Sequence, residues 1–304
     1  MRQAHSGHAQ AWRNRNVYSG IANPRSTAAY RRPGERVQVQ RGIQASGCCT
    51  SSRHEAYPDS VGAINQRIET LAILGGDADV DKFIVQTRSN LNEQRAIHTH
   101  MKIKAASIHF SDQFFNGDVM VNPKVFDGLR KRLIGSQVVD AGGTSPVTDG
   151  YAFFDALDSL VGRVRGLSGA NGAIYTNSEI IAKIKSGFRR LGGSELLMSE
   201  IGGKLAPTWN GIPLLDAGQN LDGTDVIPLT AGEDGKQTSD MYAVRFGASE
   251  ADTGVTGLTN GGIQTTDLGE AHEKPVYRTR IDFYCGLAMF GGKAAARLTG
   301  VLNG

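Results

Sequence analysis

Three aspartates at alternate positions, Asp77, Asp79 and Asp81, have the spacing of a calcium-binding loop. Alternating carboxylates converge on Ca²⁺ when a glycine allows a tight bend and a glutamate completes the coordination sphere. Here Lys82 stands at the glycine position and Arg88 at the glutamate position. We therefore interpret the three aspartates as a solvated turn whose acids can pair with a neighbouring chain, with calcium as the open alternative.

A glycine-rich string near the C-terminus, GLAMFGGKA at residues 286–294, is similar to a phosphate-binding loop. Such a loop holds phosphates with backbone amides and a lysine, and it needs a Ser or Thr to hold magnesium. The spacing here is one residue too long, and Ala294 replaces the hydroxyl residue. We interpret the string as a bend after a strand and keep a nucleotide-binding enzyme as a rival.

Histidines and cysteines are the other side chains with chemical potential: His98, His100, His109, Cys48, Cys49 and Cys285. The histidine offsets of two and eleven do not make the i, i+4 pair of a helical metal site. The adjacent pair Cys48 and Cys49 does not have the spacing of a zinc knuckle, and three cysteines are too few for a disulfide framework. We predict no catalytic, cofactor-binding or metal-ligating residue, and therefore a protein that is not an enzyme and needs no cofactor.

Positive charge is concentrated at the N-terminus. Residues 1–57 contain nine arginines, no lysine and two acids, a net charge of +7, whereas the remainder of the chain is net negative. The segment mixes Arg, Ser, Gly, Asn and Pro without helical or strand periodicity, which predicts an extended or disordered arm. Trp12, Tyr18 and Tyr30 offer stacking surfaces, so the arm is a candidate both for contacting nucleic acid and for tethering neighbouring chains.

The length of 304 residues allows one large core or two modest ones, and 39 glycines predict many turns. No apolar run reaches the ~18 residues needed to span a bilayer, so we expect a soluble protein without membrane partners.

The elements that must position these residues begin with a predicted hairpin. Residues 61–74 and 83–87 are strand-like on either side of the turn-rich residues 75–79, which indicates a long two-stranded projection. If the aspartates lie at its tip, they can guide register between subunits by pairing with the basic residues of another element: Arg130, Lys131 and Arg132.

A long helix is predicted for residues 91–115, with Asn90 as its N-cap, Glu93 completing the capping box, and Asn116–Gly117 as a left-handed stop. Its predicted buried stripe consists of Ile97, Met101, Ala105, Ile108 and Phe115, widened by Phe110 and Phe114.

A second lobe is predicted after the Gly/Thr/Ser/Pro loop at 140–150. It contains an amphipathic helix around 154–164, a strand at 173–176 and a helix capped by Asn177 and ended by Gly192. Further strands are predicted at 212–215, 226–229, 241–246, 262–266 and 276–290. The fold class is α+β.

The order of the local strings resembles that of tailed-bacteriophage major capsid proteins. LAILGGDADVDKFIVQTRSNLN at 71–92, KAASIHFSDQFFNGD at 104–118 and VFDGLRKRL at 125–133 resemble the family's passage from extended loop through spine helix. FDALDSLVGRV at 154–164, AIYTNSEIIAKI at 173–184 and WNGIPLLDAG at 209–218 are similar to its axial lobe. PVYRTRIDFYCGLAMFGGKAAARLTGV at 275–301 looks like its closing peripheral strand. Residues 1–57 do not match.

The resemblance implies an α+β Hong Kong 97 capsid fold divided into four parts. These are an N-terminal arm (1–57), an extended loop (58–90), a peripheral domain with the spine helix (91–140 and 268–304) and a mainly axial domain (141–267). Some relatives crosslink a lysine to an asparagine. Lys82 lies near the predicted loop tip, but no motif identifies a partner, so we do not carry this chemistry over.

The implied function is that of a structural subunit that self-assembles as pentamers and hexamers into an icosahedral phage head enclosing double-stranded DNA. The implied partners are other copies of the chain, a portal, and scaffold or head-completion proteins. The implied location is the virion capsid, assembled in the host cytoplasm. An encapsulin-type compartment shell and a nucleotide- or nucleic-acid-binding protein remain as alternatives.

Overall fold

A computed structural model describes residues 30–31, 36–44, 63–83, 91–192, 198–201, 204–232, 235–247 and 253–304. Predictions that concern residues 1–29, Cys48, Cys49, residues 84–87 and Asn90 lie outside these ranges. In the described part of the chain, no helix has the length and apolar content needed to cross a membrane.

One sheet carries the long helix α1 (Leu91–Asn116) on one face, which confirms the helix predicted at 91–115. Its described strands are β1 (Tyr30–Arg31), β4 (Ala72–Asp81), β12 (Val255–Thr259), β13 (Gln264–Glu270) and β14 (Val276–Met289). The centre of this sheet is β14, which pairs with β4, β13 and β12. Strand β13 pairs with the first half of β14, at residues 277–282, and β12 pairs with its last residues, 285–289. All of these pairings are antiparallel, and β1 adds to β12 in parallel.

The turn predicted at residues 75–79 is wrong, because these residues lie within the continuous strand β4. A Cβ at Gly75 would lie 2.2 Å from the backbone oxygen of Ile281 on β14, so the glycine permits close strand approach. The hairpin is formed instead by β2 (Arg36–Gln44) and β3 (Ala63–Thr70), a two-stranded sheet separate from the others among the described residues. Part of the predicted N-terminal arm is therefore a strand.

Helix α1 ends at the predicted residue but not by the predicted geometry. Gly117 is not among the glycines with positive φ, so the left-handed stop is wrong. Its N–H donates to the Gln113 carbonyl at 3.0 Å, and a Cβ at this position would lie 2.3 Å from the Phe126 oxygen. Glycine is required because the chain after the helix folds back against its end.

A second, larger sheet forms the other lobe, joined by helices α2 (Leu129–Arg132), α3 (Gly150–Arg163) and α4 (Ser178–Arg190). Its described strands are β5 (Val138–Asp140), β6 (Gly172–Thr176), β7 (Met198–Ile201), β8 (Lys204–Trp209), β9 (Ile212–Asp216), β10 (Thr230–Ala231), β11 (Gln237–Arg245) and β15 (Ala295–Leu302). They are ordered β5-β15-β11-β6-β9-β8-β7, and β10 pairs with β11.

The predicted α-β-α unit of this lobe is confirmed. Strand β6 is buried along its whole length, and Asn177 caps α4 by accepting a hydrogen bond from the Glu179 N–H at 2.7 Å. Ile180 and Ile184 are fully buried, and Gly192 ends the helix with φ of 78°.

Two strand predictions differ from the structure in this region. Residues 226–229 are irregular although Val226 and Ile227 are buried, because burial alone does not require a strand. The string at 275–301 contains two strands, β14 in the first sheet and β15 in the second. The domain boundaries inferred from the resemblance remain predictions.

The C-terminal end of α1 joins the two lobes through aromatic packing. Phe110 contacts Phe283 of the first sheet at 5.9 Å between ring centroids. Phe115, which is 1% exposed, contacts Tyr175 and Tyr242 of the second sheet at 5.5 and 5.3 Å. Aromatic pairs at these distances contribute beyond the area that they bury. The lobes therefore share one apolar core at this point.

Candidate assembly surfaces

Two of the three alternating aspartates are paired within the chain. Asp77 accepts two hydrogen bonds from Arg280 at 2.8 and 3.0 Å, and Asp79 accepts two from Arg278 at 2.8 Å each. Each pair consists of residues directly opposite on β4 and β14. The hydrogen bonds from the arginines lower the pKa of both carboxyl groups. The interpretation of these two residues as part of a solvated turn is therefore wrong. Their role in register between subunits stays a prediction, although both charges have partners within the chain.

The ion-pair ladder continues beyond β4 and β14. Lys82 binds Glu270 of β13 at 2.8 Å, so the lysine considered for crosslinking lies beside the sheet. Arg95 of α1 contacts Asp267 and donates to Thr279 at 3.2 Å, and its bond to Asp267 lowers the pKa of that carboxyl. These pairs fix α1 and the edge strand β13 on β14. Within the described ranges, no cluster of His, Cys, Asp and Glu could hold a metal.

The base of the β2–β3 hairpin is anchored to α2 by a two-pronged ion pair. Arg132 donates from both terminal nitrogens to the two oxygens of Glu69, at 2.7 Å each. The two side chains are 14% and 17% exposed. Arg132 Nε also donates to the Asp127 backbone oxygen at 2.6 Å. This geometry restricts the direction in which the hairpin leaves the body of the subunit.

The neighbouring lysine is also used internally, because Lys131 binds both Asp118 and Asp127. These contacts hold the tight turn after α1, where the Asp118 side chain accepts the Met120 N–H at 2.8 Å. Of the three basic residues predicted to guide register between subunits, Lys131 and Arg132 therefore have partners within the chain.

The first part of the glycine-rich string at 286–294 is used in strand pairing. Its first four residues lie in β14 and pair with β12 from Leu258 back to Val255. The remainder turns into β15, and the carbonyl of Ala294 accepts the Arg245 N–H at 2.9 Å. The interpretation as a bend after a strand is confirmed.

The candidate histidines and the described cysteine occupy different environments. His98, His100 and His109 are exposed on α1, and the His109 ring nitrogen lies 3.0 Å from Gln113 Nε2. Cys285 is 1% exposed, and burial raises the pKa of its thiol to about 12. A buried thiol with this pKa is unreactive at neutral pH.

Several large apolar side chains are exposed, and sequence reasoning did not identify them as surface residues. On α1, Ile97 and Met101 are 45% and 64% exposed although both were assigned to the buried stripe. In the turn after α1, Met120 and Val121 are 85% and 84% exposed. Adjacent apolar side chains held in a rigid turn are typical of contacts with another chain.

A family described as "Major capsid protein GP7" matches residues 55–149, which include β3, β4 and α1. The holo-SrpI encapsulin complex of Synechococcus elongatus is similar over 91% of this chain and 86% of that one, with a TM-score of 0.67 and 19% identity. The capsid of an empty GTA particle is similar over 90% and 88% of the two chains, with a TM-score of 0.63 and 15% identity. A structure of Mycobacterium phage Bobi is similar over 90% and 88%, with a TM-score of 0.55 and 11% identity. None of the curated proteins compared with the chain matches it.

The chain has the Hong Kong 97 capsid fold. This confirms the α+β class and the resemblance to tailed-phage major capsid proteins that the sequence indicated. At these identities the structural likeness establishes the fold, while the family match adds a similarity to major capsid proteins over residues 55–149. Among the described residues, the outer face of α1 and the turn at 118–122 expose large apolar side chains.

Proposed function

We propose that the chain is the structural major capsid protein of a tailed phage or prophage and acts by assembling with copies of itself into a closed shell. The observation that carries the proposal is the major capsid protein match at 55–149, within a capsid fold that extends over about nine tenths of the chain. The matched segment contains the second hairpin strand and the long helix. A structural role follows from this family relationship, and it agrees with the prediction that the protein is not an enzyme.

The geometry gives this function a physical basis. The hairpin forms its own sheet and is anchored at its base by Glu69 and Arg132, so it can lie over a neighbour in a defined direction. The lobe built on β14 has a helix layer and a sheet layer, which suits the wall of a thin shell. Many weak contacts between identical subunits close a symmetric shell through multivalency and allow errors to dissociate.

We infer further details of the assembly from the capsid protein family. We propose assembly as pentamers and hexamers, with double-stranded DNA inside, a portal and scaffold or head-completion proteins as partners, and assembly in the host cytoplasm. The divisions 1–57, 58–90, 91–140 with 268–304, and 141–267 are proposed as arm, extended loop, peripheral domain and axial domain. The net charge of +7 on residues 1–57 supports contact between the arm and packaged DNA.

An encapsulin-type compartment shell is the second candidate. It is favoured by the encapsulin of Synechococcus elongatus, whose TM-score of 0.67 exceeds the 0.55 of the phage Bobi structure. The family match to a phage capsid protein favours the first candidate. The two functions differ in content, since one shell encloses DNA and the other encloses protein.

Negative-stain electron microscopy of the full chain, expressed alone and with its neighbouring genes, tests both candidates. Uniform shells that protect double-stranded DNA from nuclease would support the phage capsid. Uniform shells that retain a co-purifying protein and no DNA would favour the compartment. Persistent monomers that hydrolyse ATP would contradict a role as a shell protein and support a nucleotide-binding enzyme.

A further inference from the structure

Asparagine followed by glycine is the sequence in which a side-chain amide is lost most easily, and the chain contains it five times. The backbone nitrogen of the glycine can attack the asparagine Cγ, because glycine has no Cβ to obstruct the approach. The five asparagines are Asn116, Asn171, Asn210, Asn260 and Asn303. How readily each one reacts depends on how firmly the fold holds its side chain and the N–H that follows.

Four of these side chains are held by hydrogen bonds. Their amide nitrogens donate to acceptors at 2.6 to 3.0 Å: Asn116 to Asp112 and the Val226 carbonyl, Asn171 to the Gly166 carbonyl, Asn210 to Asp158, and Asn303 to Glu179. At the first two sites the glycine N–H is also bound, Gly117 to the Gln113 carbonyl and Gly172 to the Ser168 carbonyl, each at 3.0 Å. These two sites can therefore react only after local opening breaks both sets of hydrogen bonds.

Asn260 differs from the other four. It lies in the loop between β12 and β13 and is half-buried, so water reaches it. The loop is held by the Asn260 N–H, which donates to the Tyr284 carbonyl at 3.4 Å, and by the Gly262 N–H, which donates to Thr259 Oγ1 at 3.2 Å. Within the ranges that the structure describes, neither the Asn260 side chain nor the Gly261 N–H has a hydrogen-bond partner. Both reacting groups are therefore free.

We propose that Asn260 is a site of spontaneous deamidation in the folded subunit. The Gly261 nitrogen loses its proton to solvent base and attacks Cγ of Asn260. A new C–N bond closes a succinimide ring, and the bond from Cγ to Nδ2 breaks with release of ammonia. Water then opens the ring at either carbonyl to give aspartate or isoaspartate. The inference goes beyond shell formation, since it assigns a chemical modification to the subunit and does not depend on assembly.

The modification changes the charge at the point where the N-terminal segment joins the first sheet. Strand β1 pairs with β12 in parallel, and Arg31 lies opposite Thr259, the residue directly before Asn260. Deamidation therefore replaces a neutral amide with a carboxylate next to a strand pair whose other member belongs to a segment of net charge +7.

The test follows each Asn-Gly site by peptide mapping and mass spectrometry while the full, unassembled chain is incubated at neutral and at mildly alkaline pH. The same chain unfolded in guanidinium chloride is the reference, because the fold then protects none of the five sites. Asn116 and Asn171 are the internal controls. The variant Asn260→Gln keeps an amide at the position, but its longer side chain closes the corresponding ring much more slowly.

We expect Asn260 to react in the folded chain within about threefold of its rate in the unfolded chain, and Asn116 and Asn171 to be slowed at least about tenfold by folding. The rate at Asn260 should rise with pH, because the attacking nitrogen must lose its proton, and Asn260→Gln should remove this product alone. If folding slows Asn260 as strongly as it slows the two controls, the proposal is overturned. Shell formation is not measured, so this result is separate from the test of the proposed function.

Discussion

The Glu69–Arg132 pair makes the sharpest prediction about how the hairpin is held. Replacing Arg132 with Met removes two charge-assisted hydrogen bonds of 2.7 Å and the 2.6 Å bond to the Asp127 carbonyl. Exposed ion pairs contribute ~0–1 kcal/mol, whereas leaving one fully buried charge without its partner costs ~3–5 kcal/mol. Because the two side chains are 14% and 17% exposed, we expect the free energy of unfolding to fall by about 2–3 kcal/mol.

The assay is urea unfolding of the unassembled subunit, combined with the yield of closed shells. Arg130→Met on the same helix is the matched control, since Arg130 is exposed and its replacement should change stability by less than ~0.5 kcal/mol. A double variant that also carries Glu69→Leu should lose less than the sum of the two single losses, because no carboxylate is then left without its partner. If Arg132→Met unfolds like the control, the pair does not stabilise the fold. If stability falls while shells form normally, the pair does not orient the hairpin for assembly.

Three further predictions concern the strands and the second lobe. Gly75→Ala should lower the free energy of unfolding by more than ~2 kcal/mol in the same urea assay, because its Cβ would lie 2.2 Å from a backbone oxygen of β14. Gly76→Ala is the control and should have a small effect, because its Cβ would meet only the flexible side chain of Lys102. Asn177→Ala should cost ~1–2 kcal/mol by thermal unfolding, since the side chain both caps α4 and donates to the carbonyl of the Ile227 loop. The pKa values of the two paired aspartates of β4 are lowered in the folded chain, so their stabilisation is present above the unfolded pKa of ~3.9 and is lost as pH falls below it. Arg278→Gln/Arg280→Gln should therefore be less stable than the original chain at pH 7, and the difference should narrow as the pH falls below ~3.9 and through the lowered folded pKa values. A difference that stays constant over this acid range would contradict this assignment.

The second lobe was predictable because its signals are local. The Asn177 cap, the apolar period of α4 and Gly192 at its end all lie within sixteen residues. Such a unit can be recognised without knowing which strand it packs against. The same holds for the length of α1, which follows from an uninterrupted helical sequence.

The orientation of α1 was not predictable, because its partner is remote in sequence. Arg95 faces the sheet since it meets Asp267 and Thr279, more than 170 residues away along the chain. Periodicity assigned the whole apolar stripe to the core, which is the default for a globular protein. The assignment is confirmed for Phe114 and Phe115, which are buried, and wrong for Ile97 and Met101, which are exposed. In a chain that assembles with other chains, a helix can present apolar residues on both faces.

The turn predicted at the aspartates of β4 was wrong for a related reason. A Gly-Gly-Asp sequence is typical of a turn, and only the arginines of β14, about two hundred residues later, turn it into a strand. The close approach at Gly75 and the cross-strand pairs at Asp77 and Asp79 depend on the same partner strand. A tertiary contact therefore overrides the local preference here.

These corrections change the physical basis expected for assembly. The charges first assigned to contacts between subunits, on β4 and on α2, are largely paired within one subunit, where they fix the sheet and the hairpin base. What the described surface offers to other chains is instead apolar: Met120 and Val121 in a braced turn, and Ile97 and Met101 on the helix. Apolar contacts have little directional preference, so their register must come from the rigid elements that carry them. If the chain assembles as proposed, we expect internal ion pairs to supply the geometry and exposed apolar side chains to supply the attraction between chains.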